Sequence, residues 1–163
     1  MKLDTLEALW IDELKDLWSA ERQILGGLPK MIKAAGARPL KKAFTVHQRQ
    51  TRKHVKRLER VLKSVGASPR GKKCLGMEAL LQEGAQLIKE KPEPDVLDAG
   101  LITAAQHVEH YEMAGYGTVR TWARLLGYEQ HAQTLQKTLD EEGAADQGLT
   151  ALAQSINIAA DHR

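Results

Sequence analysis

The sequence predicts an all-α domain, a bundle of four long helices, on three observations. Apolar residues recur at intervals of three and four through segments at about residues 5–34, 39–65, 95–127 and 129–158, the period of an amphipathic helix. A long connection with several Gly and Pro separates the second segment from the third. Near the midpoint of each apolar stripe, a side chain able to bind a metal stands where a hydrophobe would continue the pattern.

The first helix is expected to start at Asp4, with Asp4 and Glu7 in the N-cap and third positions of a capping-box-like arrangement, and to end around Ala34 to Gly36. Pro39 suits the first turn of the second helix, whose pattern runs from Leu40 and Phe44 to Leu62 before Gly66, Ser68, Pro69 and Gly71 break it. Residues 66–94 form the connection. Part of it, from Met77 to about Glu90, carries Leu80, Leu81, Leu87 and Ile88 and is expected to make a shorter helix. Pro92 and Pro94 end that piece and introduce the third long helix, which Gly127 stops; a short turn leads into the fourth. Two helices, a long crossover and two more helices is the connectivity of ferritin-like bundles, whereas simple up-down bundles have short loops throughout.

Each stripe is interrupted in its own way. Glu21 breaks Leu14, Leu17, Ile24 and Leu28, and Glu112 breaks Leu101, Ala105, Val108, Tyr116 and Val119. Glu142 and Asp146 break Leu135, Leu139, Leu149, Ala153 and Ile156, while His47 follows Phe44 and precedes Thr51, Val55 and Leu58. At ~100° per residue these groups point within roughly 60° of their stripe centres, toward the core. Helices of similar length packed side by side superpose their midpoints whichever way they run, so the interruptions should meet in one layer.

With Glu109, one turn before Glu112, the layer gathers the carboxylates of Glu21, Glu109, Glu112, Glu142 and Asp146. Unpaired, each such charge costs several kcal/mol in desolvation and repels the others. Two iron or manganese ions neutralise most of that charge at once, and these metals accept mixed oxygen and nitrogen shells. His47 supplies the nitrogen; Gln50 and His54, the latter seven residues on along the same edge, are secondary candidates. The plainer alternatives are a snorkelling or Arg-paired Glu21 and a core His47 bonded to Glu21 or Glu142. His107, His110 and Tyr111 point away from the third stripe, Tyr116 lies one turn beyond Glu112 within reach of a ligand, and Trp10 and Trp18 read as packing residues.

At 163 residues, 42% hydrophobic, 28% charged and 4% aromatic, the chain suits one helical globular domain over residues 1–163. A net charge of +3 is mild. Lys41, Lys42, Arg49, Arg52, Lys53, Lys56 and Arg57 crowd the second helix, but mostly off its apolar stripe, which reads as a solvated face and makes nucleic acid an unfavoured partner. The single Cys74 excludes an intramolecular disulfide framework and fits a reducing cytoplasm. Asp4, Glu7, Asp12, Glu13 and Asp16 argue against a secretory leader, and no apolar run approaches membrane-spanning length.

The stretches "DELKDLWSAERQIL", "AFTVHQRQTRKHVKRLERVL", "LITAAQHVEHYEMAGYGTVRTWARLLG" and "TLDEEGAADQGLTALA" resemble the YciF-like ferritin-like stress proteins over nearly the whole chain. The resemblance implies a rubrerythrin-like bundle, a bacterial cytoplasmic setting, a homodimer and a di-metal site of unestablished reaction. Carried over by position, that site uses Glu21, His47, Glu109, Glu112, Glu142 and Asp146, the residues the stripes select. Di-iron ferritin-like sites commonly place Glu-x-x-His on two helices. Here the second helix offers His47-x-x-Gln50 and His54, and the fourth offers Glu142 and Asp146 without a histidine. A neutral amide binds iron more weakly than a carboxylate, which leaves room for a weakly occupied or vestigial position.

Two function classes follow. The first is a di-metal carboxylate protein that oxidises bound Fe(II) with oxygen or peroxide. The second is a non-catalytic helical stress protein whose polar layer is satisfied by protons, basic partners and water, and which acts through a dimer or partner surface.

Overall fold

The computed structural model describes residues 2–161, and the regular structure among them is entirely helical. The elements are α1 (Leu6–Ala34), α2 (Arg38–Ser64), α3 (Leu75–Glu90), α4 (Pro94–Leu125) and α5 (Glu129–Ala160). The four long helices fall within about two residues of the spans expected from the stripes, and α3 is the expected short helix of the crossover.

α1 pairs with α2, α4 with α5, and the two hairpins meet through α1 against α4 and α2 against α5. α2 and α4 therefore stand diagonally across the bundle and run the same way. The chain must return along the whole bundle between them, which is why the crossover is long. α3 makes that return by lying against α1 and α4. This is the topology of a ferritin-like bundle.

The helix ends show local and distant chemistry at work. α1 is capped by Thr5, whose hydroxyl accepts from the Ala8 N–H at 3.1 Å. The expected Asp4–Glu7 box is not formed, because the helix begins one residue later. α2 and α4 end in Schellman turns, in which Gly66 (φ 70°) and Gly127 (φ 81°) take the left-handed conformation that glycine adopts without a Cβ penalty. The start of α2 has no capping side chain of its own. Asp98 of α4 instead holds the turn just ahead of it, accepting from the N–H groups of Gly36 and Ala37, both at 2.7 Å.

The core is divided. One apolar cluster contains Ile24, Leu28, Leu40, Phe44, Leu101, Ala105 and Leu149; the other contains Trp10, Leu14, Leu58, Leu62, Val119 and Leu135. Trp10 packs fully buried and donates its indole N–H to the Val119 carbonyl at 2.9 Å. Between the two clusters lie Glu21, His47, His54, Glu109, Glu112 and Glu142, all buried. The polar layer expected from the stripe midpoints is thus a physical layer that splits the hydrophobic core.

Candidate metal centre

Heptad spacing explains how these side chains come inward. On α2 the buried row runs Leu40, Phe44, His47, Thr51, His54, Leu58, Val61, in steps of three and four. His54 repeats the position of His47 one heptad later, and it is fully buried at 0% exposure, the more enclosed of the two histidines. The sequence reading gave it a secondary place, although this spacing marked it. On α5 the innermost row is Leu135, Glu142, Leu149, Ile156, all buried. Leu139, Asp146 and Ala153 form the neighbouring row, and each is only half-buried.

That offset corrects the expectation for Asp146. Its carboxylate lies outside the layer, where Oδ1 accepts from Gln106 at 3.1 Å and faces His110 Nε2 at 3.2 Å. Gln50 is likewise partly exposed, and it lines a groove together with His47 and Glu109. The imidazole of His110 is exposed, as expected. Tyr111 is not turned to solvent but covered by the crossover, where its hydroxyl donates to Asp16 at 3.1 Å and lies 3.0 Å from Cys74 Sγ.

Six of the buried residues form two overlapping groups. His47, Glu109, Glu112 and Glu142 each offer a ligand-type atom, with all of these within 4.8 Å of one another. Glu21, His54 and Glu142 do the same within the same limit. Glu142 belongs to both, the place a bridging carboxylate would take between two ions.

Burial and local charge set the protonation of each group. Desolvation pushes the Glu109 and Glu112 carboxyls well above the ordinary range, and the nearby Glu142 and Glu21 carboxylates push them further. Glu21 is raised by burial too, opposed by His54 and Tyr116. Burial lowers His47, so its imidazole is held neutral, in the form that binds metal. For His54 burial acts the same way, but Glu142 and Glu21 outweigh it and lift the ring to about 10.

The surroundings of His54 are organised further out. Its Nε2 is 2.6 Å from Glu141 Oε2. Glu141 in turn is gripped by both Arg57 guanidinium nitrogens, at 2.7 and 3.0 Å. Burial would raise Glu141, yet Arg57 and His54 together bring it down to about 2. With Nε2 committed to that carboxylate, Nδ1 faces inward, 2.8 Å from Glu142 and 3.2 Å from Glu21. A histidine whose outer nitrogen is held by a carboxylate is the usual way a metal ligand is oriented. Tyr116, kept protonated by burial, donates to Glu21 Oε1 from the other side. Sequence reasoning missed Glu141 and Arg57, since both lie off the apolar stripes.

The donor set fits a pair of metal ions on a specific observation. Glu21 Oε2, both ring nitrogens of His47, Glu109 Oε2, both oxygens of Glu112 and Glu142 Oε2 are buried without a hydrogen-bond partner, whereas His54 Nδ1 and Glu142 Oε1 face each other at 2.8 Å. Buried polar atoms in folded proteins are overwhelmingly paired, so orphans concentrated in one layer call for an external partner. Carboxylate oxygens with one imidazole nitrogen at each position match the preferences of iron and manganese.

A family of domains of unknown function, DUF892, matches residues 5–160. Protein YciF of Escherichia coli strain K12 is 39% identical over 165 residues, covering 100% of this chain and 99% of that protein. The crystal structure of the E. coli stress protein YciF superposes with a TM-score of 0.91 at 39% identity, covering 94% of this chain and 98% of that one. YcfI from Rhodopseudomonas palustris follows at 0.87 and 39%, covering 92% and 97%. A protein from Xanthomonas campestris pv. campestris shares the fold at 0.75 with 19% identity, covering 94% of each chain. On full-length similarity in sequence and fold alike, the chain belongs to the DUF892 family, as a homologue of the stress protein YciF.

Proposed function

We propose that the buried layer is a two-metal carboxylate centre for iron or manganese, and that the protein handles iron or reactive oxygen species under stress. The reaction in this reading is the oxidation of bound Fe(II), with oxygen or peroxide taking up the electrons. The observation that carries it is the set of unpartnered ligand atoms on Glu21, His47, Glu109, Glu112 and Glu142, which with His54 are arranged as two groups that share Glu142. When bound, such ions supply one-electron redox chemistry and an open position for an oxidant.

The chain's own residues do the rest. Glu109, Glu112 and His47 form one position, Glu21 and His54 the other, and Glu142 joins them. Arg57 and Glu141 fix the His54 ring, and Tyr116 fixes the Glu21 carboxylate. The apolar clusters above and below exclude bulk water from the layer. Loading must displace protons, because Glu109, Glu112 and His54 hold them more tightly than usual. The same reading takes the protein as a cytoplasmic homodimer, to be tested by cell fractionation and sedimentation equilibrium.

Elemental analysis of purified protein, followed by addition of Fe(II) under air, tests the proposal. Metal bound at up to two ions per chain, with ferric absorbance growing after the addition, is the expected result. Absence of both uptake and oxidation overturns it.

A second reading has its own observation. His54 with Glu21, Glu142, Glu141 and Arg57 forms an ion-pair cluster without any metal, two cationic groups against three carboxyls of which burial pushes Glu21 toward its neutral form. This favours a non-catalytic stress protein with a vestigial layer. Replacing Glu21, Glu112 and Glu142 together by Gln separates the two: a stabilised protein with an unchanged cellular phenotype supports the vestigial layer.

A further inference from the structure

The two halves of the layer are not equally enclosed. A groove of about 370 Å³ opens between α2 and α5 and ends on His47 and Glu109. Its walls are mostly apolar, with Phe44 and Val46 from α2 and Ala145 and Leu149 from α5, and α2 adds the polar side chains of Lys42 and Gln50. α5 contributes small residues here, Ala144, Ala145 and Gly148, and a Cβ built on Gly148 meets nothing within 4 Å. The space exists because that stretch of α5 lacks side chains to fill it. Val46 at the mouth is 39% exposed, although it is a large hydrophobe.

The floor differs from the walls. Both nitrogens of His47 and one oxygen of Glu109 are unpaired there, on side chains only 7% and 3% exposed. Small-molecule sites have this build: a concave apolar lining of roughly 300–1,000 Å³ with a few convergent polar groups. Opposite, the His54 side is shut by Arg57, Glu141 and Tyr116.

We propose that the α2–α5 groove is a binding site for a small, uncharged organic molecule, an apolar body with one hydroxyl-type head directed at His47. A charged head is disfavoured. An anionic head at the floor would approach Glu109, Glu112 and Glu142, and a cation would meet the exposed Lys42 of the lining on its way there. The volume admits one substituted aromatic ring or a short alkyl chain. The inference deepens the two-metal reading, because the bound molecule would sit beside the His47 position as an organic partner of that centre. Binding itself needs no metal, so the two ideas fail separately.

Phenol is the probe. It is titrated into metal-free and metal-loaded protein while the methyl and aromatic NMR signals of Val46, Phe44 and Leu149 are followed. Saturable shifts confined to these residues are expected. Gly148→Phe fills the groove from an open helix position, and Ala144→Leu narrows it from the next turn; each should weaken phenol at least tenfold while helicity by circular dichroism is retained. The proposal is overturned if wild-type protein shows no saturable shifts in either form, or if both variants bind phenol as well as wild type. It is also overturned if sedimentation shows that Gly148→Phe breaks a dimer whose formation blocks phenol, since a second copy is then the occupant. A failure of metal uptake with intact phenol binding sinks the two-metal reading and leaves the groove.

Discussion

The His47 half and the His54 half of the polar layer are built from the same residue types and reach opposite electrostatic states. Around His54, cationic groups and carboxyls are in direct contact: two glutamates inside, and Glu141 clamped by Arg57 outside. The ring is held protonated up to about pH 10. Around His47, among the described residues, no guanidinium or ammonium forms an ion pair with Glu109 or Glu112, the ring nitrogens lack hydrogen-bond partners, and burial drives the imidazole and the neighbouring carboxyls toward their neutral forms. Ligand identity does not set affinity by itself; the partners outside the ligands decide which protons must leave first. On the two-metal reading, the His47 position has a neutral nitrogen ready, whereas the His54 position must first release a proton.

The sharpest way to break this comparison is to remove what the halves share. Glu142→Gln should weaken both positions by ~100-fold or more, beyond the 10–100-fold typical of losing an outer partner. Elemental analysis after dialysis should then find less than one ion per chain. If one ion stays tightly bound, Glu142 does not bridge.

Next in size is the clamp. Glu141→Gln or Arg57→Met should lower affinity at the His54 position by roughly 10- to 100-fold and leave the His47 position unchanged, so calorimetric titration with Mn(II) should lose only its weaker step. Equal losses in both steps would mean that the halves are coupled and that their contrast is not functional.

Stability against pH tests the same contrast without metal. A raised His54 stabilises the fold fully below its unfolded value of 6.5, and that contribution drains away as pH rises toward about 10. Glu109 and Glu112, also raised, add stability that is lost in the same direction, starting above the unfolded carboxyl value of 4.5. Glu141, brought down to about 2, acts oppositely: its contribution is present above 4.5 and is lost as pH falls through 2. A lowered His47 costs stability only in acid, below 6.5. Denaturant midpoints of metal-free protein should therefore peak in mildly acid solution and fall toward about pH 8.5. Glu112→Gln should flatten that fall and stabilise the metal-free fold at neutral pH by about 1–3 kcal/mol, the scale of relieving a buried unpaired carboxylate.

The smallest effects on metal binding come from outside the layer. Asp98→Ala, which removes the acceptor that α4 gives the α1–α2 turn, should cost about 1–3 kcal/mol in thermal unfolding with metal content unchanged. Asp146→Ala should change metal stoichiometry not at all. If it does, the outward row on α5 turns inward when ions bind.

The sequence by itself determined the helices, the crossover and the existence of a polar layer, because each is written in local periodicity. A stripe of period 3.6 with Glu21 or Glu112 at its midpoint can be buried only by placing that carboxylate among its counterparts on other helices. What only the tertiary structure decided were choices smaller than one helical row. By periodicity Asp146 read as central in its stripe and His54 as lying along an edge; the angle at which each helix meets its neighbours left Asp146 beside Gln106 and His110 and drew His54 to the centre. The Arg57–Glu141 clamp and the Asp98 bonds to the α1–α2 turn join residues 84 and about 60 positions apart. No pattern along the chain encodes such pairs, since a contact between helices depends on where packing brings two surfaces together.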